Sequence, residues 1–432
     1  MNKNLMTTVR ELHTFLILWV TQSFSALGSA MTNFALVIWS YQQHGSALTT
    51  SLLAICSYAP YVLLSIFAGT LTDRWNKKVT MLISDSFAAL CTIFVFILMA
   101  TGSLQVWHLY LINALNGLMN TIQQPASDVA ISLLVPQQHY QKVSGMRSLS
   151  NSLVTVLTPV LAAALLSFTS IQVVILFDLI TFVTAFLALL CFIRIPESTK
   201  QNTTGNETVL QAAKSGLRYL RDNRGILDLI LFLAIINFTA SIFNAALPAM
   251  MLSRTGGGEL ALGMVNTATG LATMFGSVLV TMLPAPKSRV RVIFNSLLFA
   301  MSTENFILAF GRSIPVWCLG AVLGWVFIPV MGANMDVLFR TKIPVEMQGR
   351  VYSARNTLQF FTIPLGYLCG GLLVDRVFEP FMAAQPLNSL LVVLFGAGKG
   401  SGAALLFLVI GIFGALSCLP FRADKHIWRL EQ

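Results

Sequence analysis

Three carboxylates stand inside long apolar runs: Asp85 in VTMLISDSFAALCTIFVFIL, Asp178 in VVILFDLITFVTAF and Glu304 in LLFAMSTENFILAF. A carboxylate at membrane depth costs about 3 kcal/mol on insertion scales and is a functional suspect by default. Desolvation favours the protonated acid, so the chemistry to expect at such a position is proton binding and release. Asp178 is the first candidate for proton coupling, Glu304 the second and Asp85 the third. Asp85 lies close to Lys77 and Lys78, which makes a structural ion pair its expected role. Those lysines belong to a second grouping, GTLTDRWNKK at 69–78, where Asp73, Arg74, Lys77 and Lys78 crowd into six residues between apolar stretches.

The elements that must position these groups are membrane helices. Of 432 residues, 56% are hydrophobic and 10% charged, against roughly a quarter charged in soluble domains. A spanning helix needs about 20 apolar residues, and twelve such stretches are expected near 13–40, 47–71, 79–102, 106–134, 145–168, 172–193, 227–252, 260–283, 292–311, 314–338, 351–374 and 401–420. The fold class is therefore an all-α membrane protein of twelve transmembrane helices. With the N-terminus inside, all of the 27 Lys and Arg except Arg254, Arg312, Arg376 and Lys399 fall on cytoplasmic segments. That asymmetry predicts a multi-pass protein of the cell membrane with both termini cytoplasmic. It also assigns the net charge of +10 to the inner leaflet, so nucleic acid is not needed as a partner. SFSALGSA could end a signal peptide, but the apolar run continues to Trp39, and an uncleaved first helix is expected. The stretch 388–398 is too short for a thirteenth span, and 376–399 is expected as an external hairpin.

Enzyme chemistry finds no support. The six cysteines, Cys56, Cys91, Cys191, Cys318, Cys369 and Cys418, fall inside spans without a CxxC spacing, so neither a disulfide frame nor a metal site is suggested. The five histidines are dispersed, and there is no Gly-rich phosphate loop or nucleophile elbow. No cofactor is expected. Two Asn-x-Thr sites, at Asn202 and Asn206, lie on the cytoplasmic side and carry no weight.

The chain repeats itself weakly. Asp128-Val129 before Pro136 recurs as Asp336-Val337 before Pro344; Ser148, Asn151, Leu153 and Pro159 recur as Ser353, Asn356, Leu358 and Pro364; Asn33 and Leu36 recur as Asn244 and Leu247. The matches in order imply two pseudo-symmetric halves of six helices, 1–194 and 225–432, joined by a cytoplasmic linker at 195–224. In that linker Val209, Ala213, Leu217 and Leu220 form an apolar stripe beside Lys214, Arg218 and Arg221, as in a helix lying on a membrane surface.

Two six-helix halves with a basic central loop resemble the Major Facilitator fold, in which the halves rock about a midplane site. Gly69-x-x-x-Asp73-Arg74-x-x-Lys77-Lys78 resembles that family's signature between its second and third spans. The resemblance implies that Asp73 caps the N-terminus of the eleventh span, and that the cations pair with an acid at the inner end of the fourth, where Asp128 stands. Topogenic charge alone would explain the lysines but neither Asp73 nor Gly69. In the second half Asp336 is the counterpart of Asp128, and a contact with Lys287, Arg289 or Arg291 is expected. Gln22-x-x-Ser25-x-x-Gly28-Ser29, Pro125-Ala126 before Leu134-Val135-Pro136, and Gly349-Arg350-Val351-Tyr352-Ser353 are similar to the branch holding Mef-type macrolide efflux proteins and enterobactin-type exporters. Asp178 matches an acid of that branch's sixth span. Two departures matter: Asn116 replaces the family's arginine in the fourth span, and the exporter pattern of the fifth is reduced to Thr158-Pro159 and Ala162-Ala163.

The first, fourth, seventh and tenth spans line the cavity in this fold. Their polar members are Gln22, Asn33, Asn113, Asn116, Asn120, Asn237, Asn244 and Asn334, with Trp325 and Phe327 as aromatic walls. Amides in place of charge suit a bulky amphiphile, although any one of them can instead be interhelical glue worth about 1 kcal/mol. The expected function is export of hydrophobic or amphiphilic molecules, macrolide-like drugs or natural products, by proton antiport. An importer or lipid flippase of the same fold is the alternative, and a membrane enzyme or channel a remote one. The expected partners are the substrate, protons and the lipid bilayer, and a monomer is expected.

Overall fold

The computed structural model describes the backbone of residues 3–136, 139–195, 209–282, 284 and 286–431. Side chains at 3–10, 65–74 and 196–213, and at several positions within 132–145, 281–285 and 340–353, lie outside the described residues. Every expected stretch is helical, and the described residues hold no strand. The first half contains α1 (Lys3–His44), α2 (Ala47–Arg74), α3 (Lys77–Ala100), α4 (Val106–Leu134), α5 (Tyr140–Phe168) and α6 (Ile171–Cys191). The linker supplies α7 (Val209–Asp222). Then come α8 (Arg224–Ser253), α9 (Glu259–Met282), α10 (Arg289–Phe310), α11 (Ile314–Trp325) and α12 (Ile328–Lys342). The rest is α13 (Val345–Phe360), α14 (Thr362–Leu372), a π turn (Leu373–Phe378), α15 (Glu379–Ala383), α16 (Leu390–Phe395), α17 (Ser401–Ala423) and α18 (Lys425–Trp428).

Two expected spans are broken in the middle. The tenth is split into α11 and α12 just before Pro329, which stands in the first turn of α12, where its missing N–H costs nothing. The eleventh is split at Phe361, just before Pro364, into α13 and α14, and then runs through the π turn into α15. Among the described residues eleven helical stretches are, by length and composition, apolar enough to cross a membrane, and α4 is not among them. Its apolar residues are diluted by Asn113, Asn116, Asn120, Gln123 and Ser127, which recur every three or four residues and so share one face.

The chain forms two compact units: Met1–Val37 with Cys56–Asn206, and Ile38–Ile55 with Glu207–Gln432. The expected halves divide at the linker, whereas the observed second unit also takes in the tip of the first hairpin. In the first unit α3 packs against α4 and α6, and α5 against α6. Its cores are small: Leu18, Met81, Ala126 and Leu189 in one, Met31, Ala35, Ala162 and Val174 in another. The second unit has a larger core around Leu229, Ile230, Phe294, Leu297 and Phe339, where Phe421 stacks on Phe232 at 4.1 Å. Between lipid-embedded helices the hydrophobic effect supplies little, so close packing and hydrogen bonds hold such contacts. Helix α7 packs on α13, with Leu220 buried and Lys214 and Arg218 exposed.

Two of the four cations set apart by the charge count act as glue. Arg254 is buried and donates to the carbonyls of Leu308 and Ala309 at the end of α10 and of Phe395 at the end of α16. Burial, and then the neighbouring Arg312, lower its pKa to about 10, so it keeps its charge at neutral pH. Arg312 donates to the Val393 carbonyl. The two guanidiniums thus fasten the 376–399 segment to α10.

Candidate functional site

Each of the three acids within the spans, Asp178 and Glu304 buried and Asp85 half-buried, is met by neutral donors. Asp178, on α6, accepts a hydrogen bond from Ser29 Oγ of α1 at 2.9 Å. The two helices approach closely because residue 28 is glycine: a Cβ there would lie 2.9 Å from the Asp178 Cα, and nearer still to Thr181 Oγ1. Glu304, on α10, is buried and accepts from the Trp325 indole N–H at 3.0 Å. It packs over Gly324, beside the break between α11 and α12. Trp325, expected as a cavity wall, is thus committed to the acid.

Asp85 corrects the expectation. Its carboxylate accepts from Gln22 Nε2 of α1 at 3.2 Å and from Gln123 Nε2 of α4, and it makes no ion pair with Lys77 or Lys78. Eight residues of helix place it about 12 Å further along α3 than Lys77. Lys78 instead donates to the carbonyls of Leu190 and Ile193, at 2.9 and 2.7 Å, where α6 ends. Cations are favoured at such a terminus. Lys77 is buried and donates to the Trp75 carbonyl at 3.0 Å.

Of the expected latch, the side chains of Asp73 and Arg74, and the surroundings of Gly69, lie outside the described residues. Asp128 is described, and Arg147 of α5 donates to it at 2.6 Å. The second-half counterpart is corrected. Asp336 is exposed and forms no ion pair with Lys287, Arg289 or Arg291; Arg289 donates instead to Asn334 Oδ1 at 3.0 Å. Positions two apart on a helix point about 200° apart, so the buried Asn334 faces Arg289 while Asp336 faces away.

A cleft of about 140 Å³ opens within the first unit between α1, α4 and α5. Phe15, Trp19, Ile131 and Val154 give it an apolar wall, and Gln22, Ser23, Ser150 and Asn151 a polar one, with Arg147 at its edge. The Trp19 indole donates to the Met146 carbonyl at 3.1 Å, and Ser23 and Ser150 share a hydrogen bond of 2.8 Å. Gln22 therefore borders both the cleft and Asp85.

The other expected cavity residues do not line this cleft. Asn33, Asn120 and Asn244 are exposed. Asn237 donates weakly to the Gln359 carbonyl at 3.4 Å, an interhelical tie. Asn116 holds its Oδ1 buried without a hydrogen bond. The α5 contribution was missed because Arg147 read as a topogenic charge. Its signal was the spacing of 147, 150, 151 and 154, one face of a helix.

Comparison with known proteins agrees with this architecture. Macrolide efflux protein A of Streptococcus pyogenes is 23% identical over 366 residues, 84% of this chain and 90% of that protein. The protein of the same name from Enterococcus faecalis is 23% identical over 317 residues, 73% of this chain and 97% of its own length. An uncharacterised MFS-type transporter of Bacillus subtilis is 24% identical over 387 residues, covering 87% and 90%. Among solved structures, the nucleoside transporter NupG superposes with a TM-score of 0.68 at 10% identity, covering 95% of this chain and all of that one (100%). A bacterial homologue of the human lysosomal transporter Spinster gives 0.67 at 13% identity, covering 97% and 98%. These two likenesses show the fold alone. The profile described as Major Facilitator Superfamily matches residues 18–367. With its helical spans and buried acids, the chain is a multi-pass membrane protein that belongs to the Major Facilitator Superfamily.

Proposed function

We propose that this transporter exports bulky amphiphilic small molecules across the cell membrane by alternating access, in exchange for protons. The observation that carries the reading is the position of Gln22, which lines an amphipathic cleft and donates to the half-buried Asp85. A ligand competing for the Gln22 amide would change the solvation of that carboxylate, which is a direct way to link occupancy to protonation. Asp85, the third of the coupling candidates, thereby moves level with Asp178 and Glu304 on geometry, since its expected lysine partners are engaged elsewhere. Export is supported by kinship with proteins named for macrolide efflux. The bias of Lys and Arg supports cytoplasmic termini.

The test is accumulation of a fluorescent amphiphile in cells that express the chain, compared with empty cells and with Asp85→Asn. Expression should lower accumulation, and the variant should restore it. Raised accumulation would favour import, and equal accumulation would sink the reading. A resistance screen across antibiotic classes in a pump-deleted host would then name the substrate.

A further inference from the structure

The tip of the first hairpin is held by a carboxylate from the far end of the chain. Helix α2 begins at Ala47, and the N–H groups of its first turn have no partners within the helix. Asp375, in the π turn after α14, fills that need. Its Oδ1 accepts from Ala47 N–H at 2.9 Å, and its Oδ2 from Leu48 N–H at 2.9 Å and from Ser46 Oγ at 2.6 Å. Ser46 in turn accepts from Thr49 N–H at 3.1 Å. An anion at a helix N-terminus is favoured by the helix dipole, and hydrogen bonds to a charge are stronger than neutral ones. One turn before Asp375, Gly371 lets the helices touch: a Cβ there would lie 2.6 Å from the Leu48 Cα and 2.9 Å from Ser51 Oγ. Two further contacts join the same tip to the rest of the second unit. Tyr41 Oη donates to the Ala249 carbonyl at 3.2 Å, and Gln42 Nε2 to Glu259 Oε1 at 2.6 Å.

Two other carboxylates cap helices at a distance, and they set this one apart. Glu379 accepts from the N–H groups of Gly400 and Ala403 at the start of α17, and Glu431 from Val290 N–H at the start of α10. Both join helices of one six-helix half, which can stay together throughout a cycle. Asp375 joins a helix of the second half to a helix of the first. We propose that Asp375 is the outer gate residue: its carboxylate holds the N-terminus of α2 while the outer face is closed, and letting go opens that face. The proposal rests on the alternating-access reading and on the orientation expected from charge.

The test uses the full chain with its six native cysteines replaced and Thr50, buried just inside the cap, changed to Cys. Intact cells are treated with a membrane-impermeant maleimide. Asp375→Asn keeps the shape but loses the charge and one acceptor, and should raise labelling at position 50 several-fold. Asp375→Glu should raise it less. Unchanged labelling in Asp375→Asn overturns the proposal, because a purely structural cap would lower protein yield without exposing Thr50→Cys. A second measurement leaves Asp375 in place. Gln42→Cys and Glu259→Cys are bridged by a short bis-methanethiosulfonate, which should stop transport until a reductant is added. Undiminished transport by the bridged protein likewise overturns it. The labelling needs no transported molecule, so loss of the efflux reading with labelling still raised would leave the gate standing.

Discussion

The indole N–H of Trp325 donates to Glu304 Oε1 at 3.0 Å, at the point where the tenth span breaks into α11 and α12. Gln at position 304 can still accept that bond, whereas Ala strands a buried donor and leaves a void. Stranding such a group costs about 1–3 kcal/mol. We therefore expect Glu304→Gln to melt near the parent protein in detergent and Glu304→Ala to melt well below it. Equal melting of the two would mean that the indole contact contributes nothing.

Coupling is separable from stability. Proton uptake on adding substrate should be measured in vesicles for Asp85→Asn, Asp178→Asn and Glu304→Gln. We expect at least one of these variants to fold normally and exchange no protons, with Asp85→Asn the first to examine because Gln22 adjoins the cleft. Normal stoichiometry in all three removes these acids from the coupling mechanism.

The cleft predicts a binding phenotype. Replacing Trp19 by Ala removes most of an aromatic wall and should raise the half-saturating substrate concentration about tenfold, the equivalent of about 1.4 kcal/mol. Trp19→Phe keeps the wall, loses only the bond to the Met146 carbonyl, and should change it little. Concentration-dependent efflux from loaded vesicles decides between them.

Helix contact at Asp178 predicts a steric phenotype. A Cβ at residue 28 collides with the α6 backbone, and overpacking of this kind costs about 1–3 kcal/mol. Gly28→Ala should lower the melting temperature, and Asp178→Ala made alongside should not restore it, because the clash includes the Asp178 Cα. Full rescue by Asp178→Ala would place the clash on the carboxylate alone.

In the turn between α2 and α3, Asp73→Asn should leave protein levels normal and abolish efflux, as the family resemblance implies. Exchanging the observed pair, Asp128→Arg with Arg147→Asp, should recover part of the activity lost in either single change. In the second half, Asp336→Asn should be silent within about 0.5 kcal/mol. Asn334→Leu removes the acceptor of Arg289 and should not be silent. Loss of function in Asp336→Asn would restore the counterpart that the geometry removes.

The helices were legible in the sequence because twenty apolar residues in a row have one stable solution in lipid. Asp178 and Glu304 stood out for the same reason, as charges where none belongs. Contacts between distant segments were not legible. Lys78 reads as a partner for any nearby acid, and only the fold brings the last carbonyls of α6 to it. Asp375 reads as one more charge at a span end, and nothing in its neighbourhood points to Ala47, 328 positions away. The face that pairs Asn334 with Arg289 depends on a helical phase that Pro329 resets. Asn237 likewise reads as a cavity group, and only the fold shows the Gln359 carbonyl beside it.

The polar stripe on α4 has a consequence for how the protein is made. A nascent segment enters the bilayer from the translocon according to its own free energy of partition, and α4, with its amides, is the poorest candidate of the spans. Its Gln123 amide meets Asp85 of α3, and Gln22 of α1 meets the same carboxylate. Leaving these groups unpaired in hydrocarbon costs more than pairing them. Helices α1, α3 and α4 should therefore settle as a group, with α1 and α3 held near the channel to receive α4 as it emerges. A chain truncated after α4 should integrate this segment efficiently, and Asp85→Leu should let part of it pass through the channel, which a glycosylation tag placed just after α4 would report.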